Sequence, residues 1–223
     1  MMKPPVMTLH EQIDFFFASP LTLQSGFAST LNLNRREVQD CLLGDVIAED
    51  AVVTDPRRHR LFATVMVIAA GVDLLGKFYA GSDKTGKPGV IGDRIVEFTA
   101  RFVFAGKPNA TELAKVLYHG CRNPMVHSFT LHSTHYQMSL TFGPALSSGA
   151  IWRAQGTTDK FLINVDGLYV AYIAAIRRYE ADLRGDPALQ AKFAVCCEWA
   201  SGAELPESRP CRCATRWSPG RPR

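Results

Sequence analysis

The chain has 223 residues, is 47% hydrophobic and 21% charged, and carries a formal net charge of +4. This is ordinary globular composition, long enough to bury a sizeable core without disulfide or metal staples. The positive charge is a weak pointer to nucleic acid, because residues 202–223 hold five arginines against two glutamates, or +3 of the +4.

No membrane span or export signal is expected. The longest apolar run on a helical pattern, Leu61 to Ala70, is short for a bilayer. Phe15-Phe16-Phe17-Ala18 is short for a signal-peptide core, and Glu11 and Asp14 stand where a basic region belongs. A cytoplasmic location follows, with no membrane partner. The six cysteines, Cys41, Cys121, Cys196, Cys197, Cys211 and Cys213, are then expected as reduced thiols. Neither Cys-Cys nor Cys-Arg-Cys has zinc-site spacing. No cofactor is expected.

Taken in chain order, a short helix is predicted near Leu9–Ala18. The aromatic run at 15–17 is read as core, with a partner surface as the alternative. A partial helical stripe runs from Arg35 to about Asp50, with Asn34 positioned as a cap. The clearest element is Arg57 to Tyr79. Leu61, Val65, Ile68, Val72, Leu75 and Tyr79 recur at three- and four-residue steps, which predicts a central core helix. The run Gly81 to Gly89 breaks it. A further helix is predicted over Ile91–Phe104, and another after the cap Asn109, ending at Arg122.

Beyond His127 the period changes. Tyr136, Met138, Leu140 and Phe142 alternate with polar residues, as in a strand. Ile151–Ala154 and Lys160–Val165 are two more strands, and together they predict a small antiparallel meander. Asp166 is read as the cap of a helix ending at Gly185, followed by a last helix from about Pro187 to Ala200. The predicted class is mainly α: a helical bundle with a small antiparallel β-meander inserted between its later helices. Residues 1–202 form a single domain with the insertion near 129–165. Residues 203–223 are a basic Pro- and Arg-rich tail, read as disordered, with weak RNA binding as the alternative.

The strongest chemical signal is Arg122-Asn123-Pro124-Met125-Val126-His127. On one straight helix, Arg122 and His127 would point about 140° apart. Pro124 disfavours helical geometry at Asn123 and fits the first turn of a new helix. A break at Asn123 would let the two side chains converge. A helix start attracts phosphate, Arg122 adds a planar fork of donors, and His127 adds a group that transfers a proton near neutral pH.

The run resembles the signature of HEPN domains: Arg, a polar residue, three further residues, then His. The resemblance covers six residues and a helical setting over about half the chain. It implies a HEPN-like helical bundle with the motif at a helix junction. It also implies that Arg122 and His127 are catalytic with Asn123 supporting them, in a metal-independent endoribonuclease. Such a protein would act on RNA as a homodimer, in a toxin or defence role with an antitoxin protein as a further partner. The alternative is a non-catalytic HEPN-like module that binds RNA or protein.

Other features are weighed beside it. Tyr118, four residues before Arg122, is either a core tyrosine or stacks on Arg122 at the cleft. Gly81-x-x-x-x-Gly86-Lys87 falls short of a P-loop, since Pro88 replaces the Ser or Thr that would hold magnesium. It reads as an interhelical loop whose Asp83, Lys84 and Lys87 are candidate RNA contacts. His132 and His135 lie three apart in strand-like sequence, which puts them on opposite faces.

Overall fold

A computed structural model of the chain describes residues 7–18, 29–43, 60–81, 90–123, 135–143 and 149–200. The described residues form seven α-helices and three strands, a mainly helical fold.

Helix α1 (Leu9–Phe17) opens on a capping box. Thr8 Oγ1 accepts from the Glu11 amide at 3.3 Å, and the Glu11 carboxylate accepts from the Thr8 amide at 2.7 Å. Phe16 and Phe17 are buried and Phe15 is exposed, so two of the three phenylalanines are core. Helix α2 (Thr30–Leu43) starts earlier than its apolar stripe suggested. Its cap is Ser29, whose hydroxyl accepts from the Asn32 amide at 3.0 Å and donates to Phe16 O at 2.8 Å. Asn34 is therefore not a cap. It lies inside the helix and donates to Val67 O at 2.7 Å.

Helix α3 (Leu61–Ala80) is the axis of the fold. It packs on α2, on α4 (Val90–Phe98), and on α6 (Val165–Gly185) and α7 (Pro187–Ala200). Its apolar residues surround most of its circumference, as expected of a helix with neighbours on several sides. At 20 residues it is long and apolar enough to cross a membrane by length and composition, unlike the ten-residue run read from sequence. Half of it is buried inside the protein. Gly81 ends it in left-handed conformation at φ 67°, donating to Lys77 O and Phe78 O. Gly71 lets α6 approach: a Cβ there would lie 2.0 Å from the Tyr172 hydroxyl. That hydroxyl donates to Asn34 Oδ1 at 2.6 Å, tying α2, α3 and α6 at one polar point.

The core is strongly aromatic. Phe16, Phe78 and Phe193 meet with ring centroids 4.4 to 5.3 Å apart. Tyr179 sits edge-on to Phe98 at 5.5 Å and to Phe102 at 5.4 Å, joining α4 to α6.

Two helices end in π-helical turns. Helix α4 continues as Thr99–Val103, and α5 (Ala110–Val116) continues as Leu117–Arg122. Asn109 stands at the start of α5, but its side chain makes no capping bond.

The sheet departs from the predicted meander. Strand β3 (Lys160–Asn164) is central, with β1 (Gln137–Thr141) parallel to it and β2 (Ile151–Arg153) antiparallel. Chain order and sheet order differ because β3 carries the most apolar run. Phe161 and Ile163 are buried, so β3 takes the place with neighbours on both sides. The cap of α6 also differs from expectation. Asn164 Oδ1 accepts from the Gly167 amide at 2.9 Å. Asp166 lies in the first turn and instead accepts from the Gly143 amide at 2.7 Å.

Candidate functional site

Arg122 is the last residue of the π-helical turn that extends α5. A π turn inserts one residue into a helix and re-aims the side chains beyond it, and such turns concentrate at functional sites. The guanidinium points back at α3, where its Nη2 meets Asp73 Oδ2 at 3.0 Å. Its Nη1 donates to Asn123 Oδ1 at 3.2 Å. The Tyr118 ring lies one turn back, 6.0 Å from the guanidinium carbon, at the outer limit of cation–π contact. The sequence placed Arg122, Asn123 and Tyr118 in one site, and the structure brings these three together.

Asn123 itself keeps helical geometry where the sequence predicted a break; Pro124 and the residues beyond it lie outside the described residues. Asn123 has helical φ −67° and ψ −52°, and its amide donates to Tyr118 O. A backbone bond thus holds the residue before Pro124 in the geometry that proline normally disfavours. Its side-chain oxygen accepts from Arg122, and the amides it was expected to cap lie outside the described residues. His127, the remaining motif residues from Pro124 to Val126, the loop residues Asp83, Lys84 and Lys87, and His132 lie outside the described residues. His135 is exposed.

Two residues that sequence reading passed over complete the cluster. Asp73 and Lys77 are the only charged residues in the 20 of α3. A lone carboxylate on a core helix was a readable signal, because burying a charge calls for a partner. Asp73 has two partners, since its Oδ1 accepts from Arg94 Nη2 at 3.1 Å. Arg94 is nearly buried, while Asp73 and Arg122 are 23% and 19% exposed. Solvent therefore reaches the cluster at Asp73 and Arg122 rather than at Arg94.

Small residues set this convergence. A Cβ on Gly76, three residues along α3 from Asp73, would lie 3.2 Å from the Arg94 carbonyl oxygen. That approach brings α4 against α3 where Arg94 can reach Asp73. A Cβ on Gly92 would lie 2.9 Å from the Tyr118 ring, so this glycine seats the tyrosine beneath Arg122. A Cβ on Gly120 would lie 2.7 Å from Met138 Sδ, which brings β1 onto the same π-helical turn.

His119 stands on that turn, with its ring 4.8 Å from Tyr118. Partial burial, and then His135 and Lys115 nearby, hold its imidazole below the ordinary histidine value. Cys121, fully buried one residue before Arg122, has its thiol pushed up to about 12 by burial. A low-pKa thiolate nucleophile is therefore not offered there. Among the described residues, no group of three metal-ligating side chains gathers.

A separate cleft of about 490 Å³ lies at the other end of α5, against β2. Phe104, Lys107, Trp152 and Arg153 help line it, and it contains no motif residue.

Chemically, the Arg122 cluster can bind and orient an oxyanion through planar N–H donors. Comparison of the chain with family models, with curated proteins and with solved structures finds no match in any of the three.

Proposed function

We propose that the protein is a metal-independent endoribonuclease of the HEPN type, with Arg122 and His127 as its catalytic pair. The observation that supports this reading is the setting of Arg122. It sits on a π-helical turn, part-exposed, with Asp73 and Asn123 fixing its guanidinium from two sides. A cation held in place needs little reorganisation when charge builds on a phosphate, which is where electrostatic catalysis gains most.

In the proposed reaction, His127 takes the proton from an RNA 2′-hydroxyl as its oxygen attacks the adjacent phosphorus. The P–O5′ bond breaks, and the leaving oxygen receives a proton. Arg122 stabilises the charge on the phosphoryl oxygens. The products are a 2′,3′-cyclic phosphate and a 5′-hydroxyl. The same reading takes the protein as a cytoplasmic homodimer, joining two copies of the motif in one cleft, with an antitoxin protein as regulator. Lys84 and Lys87 would supply further RNA contacts, and Asp83 would lie beside them.

The test is cleavage of labelled RNA in EDTA by wild type, Arg122→Ala and His127→Ala. Loss of about 10²-fold or more in each variant is expected for removed transition-state groups. Undiminished cleavage in both sinks the assignment. One observation favours a second reading, a non-catalytic RNA-binding module: Arg122 is already engaged by Asp73. Binding that weakens in Arg122→Ala, with no cleavage by wild type, selects it.

A further inference from the structure

We propose that Arg94 and Arg122 together form a two-guanidinium clamp for one tetrahedral oxyanion, with Asp73 as the resident counter-ion that yields to it. The ligand chemistry is a phosphate, either the phosphodiester of a nucleic acid or free inorganic phosphate. This deepens the reading above by naming a second cation at the same site, and rests on that reading only for the phosphodiester.

The geometry is that of a filled anion site. Arg94 Nη2 and Arg122 Nη2 bind the two different oxygens of one carboxylate, at 3.1 and 3.0 Å. Carboxylate and phosphate both present paired oxygens to guanidinium forks, so donors arranged for one suit the other. Among the described residues, Asp73 is the only carboxylate in ion-pair range of Arg122, and it is shared with Arg94. A carboxylate divided between two cations is a weaker hold on each than a dedicated one. A phosphate carries more acceptor oxygens and, as the free ion, more charge.

The site is also built rather than incidental. Arg94 comes from α4, Arg122 from the end of α5 and Asp73 from α3. The close contact at Gly76 fixes Arg94 beside Asp73. Arg94 is the nearly buried anchor, and Arg122 stands on the side that solvent reaches. An entering anion therefore meets Asp73 and Arg122 before it meets Arg94. As Asp73 swings away, Arg94 is the donor already behind it.

The experiment is titration of the folded full-length chain with inorganic phosphate by calorimetry. A parallel arm uses a single-stranded DNA oligonucleotide, which offers phosphodiesters but no 2′-hydroxyl to react. Arg94→Gln is expected to weaken phosphate binding about ten-fold, the loss of one charge-assisted contact. Asp73→Asn is expected to tighten it by about the same factor, because a competing anion is gone. Arg94→Lys keeps the charge next to Asp73 but loses the fork, and should fall between wild type and Arg94→Gln. Circular dichroism identifies any variant that fails to fold, in which case Arg94→Lys carries the comparison.

Phosphate binding indifferent to Arg94, or absent from both wild type and Asp73→Asn, overturns the clamp. A preference for the oligonucleotide over free phosphate identifies a nucleic-acid backbone as the ligand, and the reverse identifies the free ion. RNA cleavage that needs Arg122 and His127 while phosphate binding ignores Arg94 leaves the nuclease standing without the clamp. Phosphate binding that needs both arginines, with no RNA cleavage, does the opposite.

Discussion

Replacing Gly71 by alanine sets two effects of known size against each other. In a helix interior, alanine is favoured over glycine by about 1 kcal/mol. Against this, the new methyl would fall 2.0 Å from the Tyr172 hydroxyl and 2.4 Å from Asn34 Oδ1. Tyr172 is fully buried, and its hydrogen bond to Asn34 joins α6 to α2. Making room means parting that pair, at roughly 1–3 kcal/mol for a buried polar group that loses its partner. Pushing α6 off α3 adds roughly 1–3 kcal/mol of overpacking. The clash outweighs the propensity gain, and Gly71→Ala should lose about 2–4 kcal/mol. For a chain of this length that lowers Tm by roughly 5–15 °C, read by thermal and urea unfolding. Tyr172→Phe removes the nearest clashing atom, so the double variant should be less destabilised than the two single losses combined. A Gly71→Ala protein as stable as wild type would refute the reasoning, because helix propensity would then outweigh the contact.

Three further outcomes are expected. Asn164→Ala removes the cap of α6 and should cost about 1–2 kcal/mol in urea unfolding. Asn164→Asp should recover part of this by restoring an acceptor for the Gly167 amide; equal losses in both variants would count against the cap. His119 is held below its ordinary value in the folded protein, so the unfolded chain takes up a proton at the higher pH. Stability should fall as pH is lowered from about 7.5 to 5.5, across the ordinary histidine range, and fall less in His119→Gln. Identical pH slopes would remove His119 from the account. Cys121 should resist iodoacetamide in the native protein at about pH 8 and react after denaturation, as peptide mass mapping would show. Labelling of the native thiol at the rate of a small thiol would contradict its burial.

The helices with a clear apolar period were legible in the sequence. Leu61, Val65, Ile68, Val72 and Leu75 announced α3 because a core helix repeats its burial every turn. Caps and sheet order were less legible. Asn34 and Ser29 are both good capping types, and only the bond from the Asn32 amide to the Ser29 hydroxyl shows which one starts the helix. The order of the strands depends on how much apolar surface each can bury between neighbours, which local alternation does not report. Arg122, Asn123 and Tyr118 were found through spacing. Arg94 and the three glycines were not, because their role comes from helices separated in sequence, and Asp73 was legible only as a charge out of place. The π-helical turn has no composition signature, so a proline rule predicted a break at Asn123, where a local backbone bond to Tyr118 O keeps that residue helical.

The position of β3 has a consequence for how the chain is made. Among the described strands it is the last to leave the ribosome, yet β1 and β2 each pair with this one alone. A nascent chain that has emerged only as far as residue 159 holds two of the three described strands, both without the partner that joins them. Pairing waits for Lys160–Asn164, and Asn164 is also the cap of α6, so the same few residues close the sheet and start the next helix. Pairings between residues far apart in the chain are slow to form, and lone strands are open to the wrong neighbour in the meantime. A ribosome pausing just short of residue 160 would therefore expose this protein at the stage where it is most prone to stick to another copy of itself.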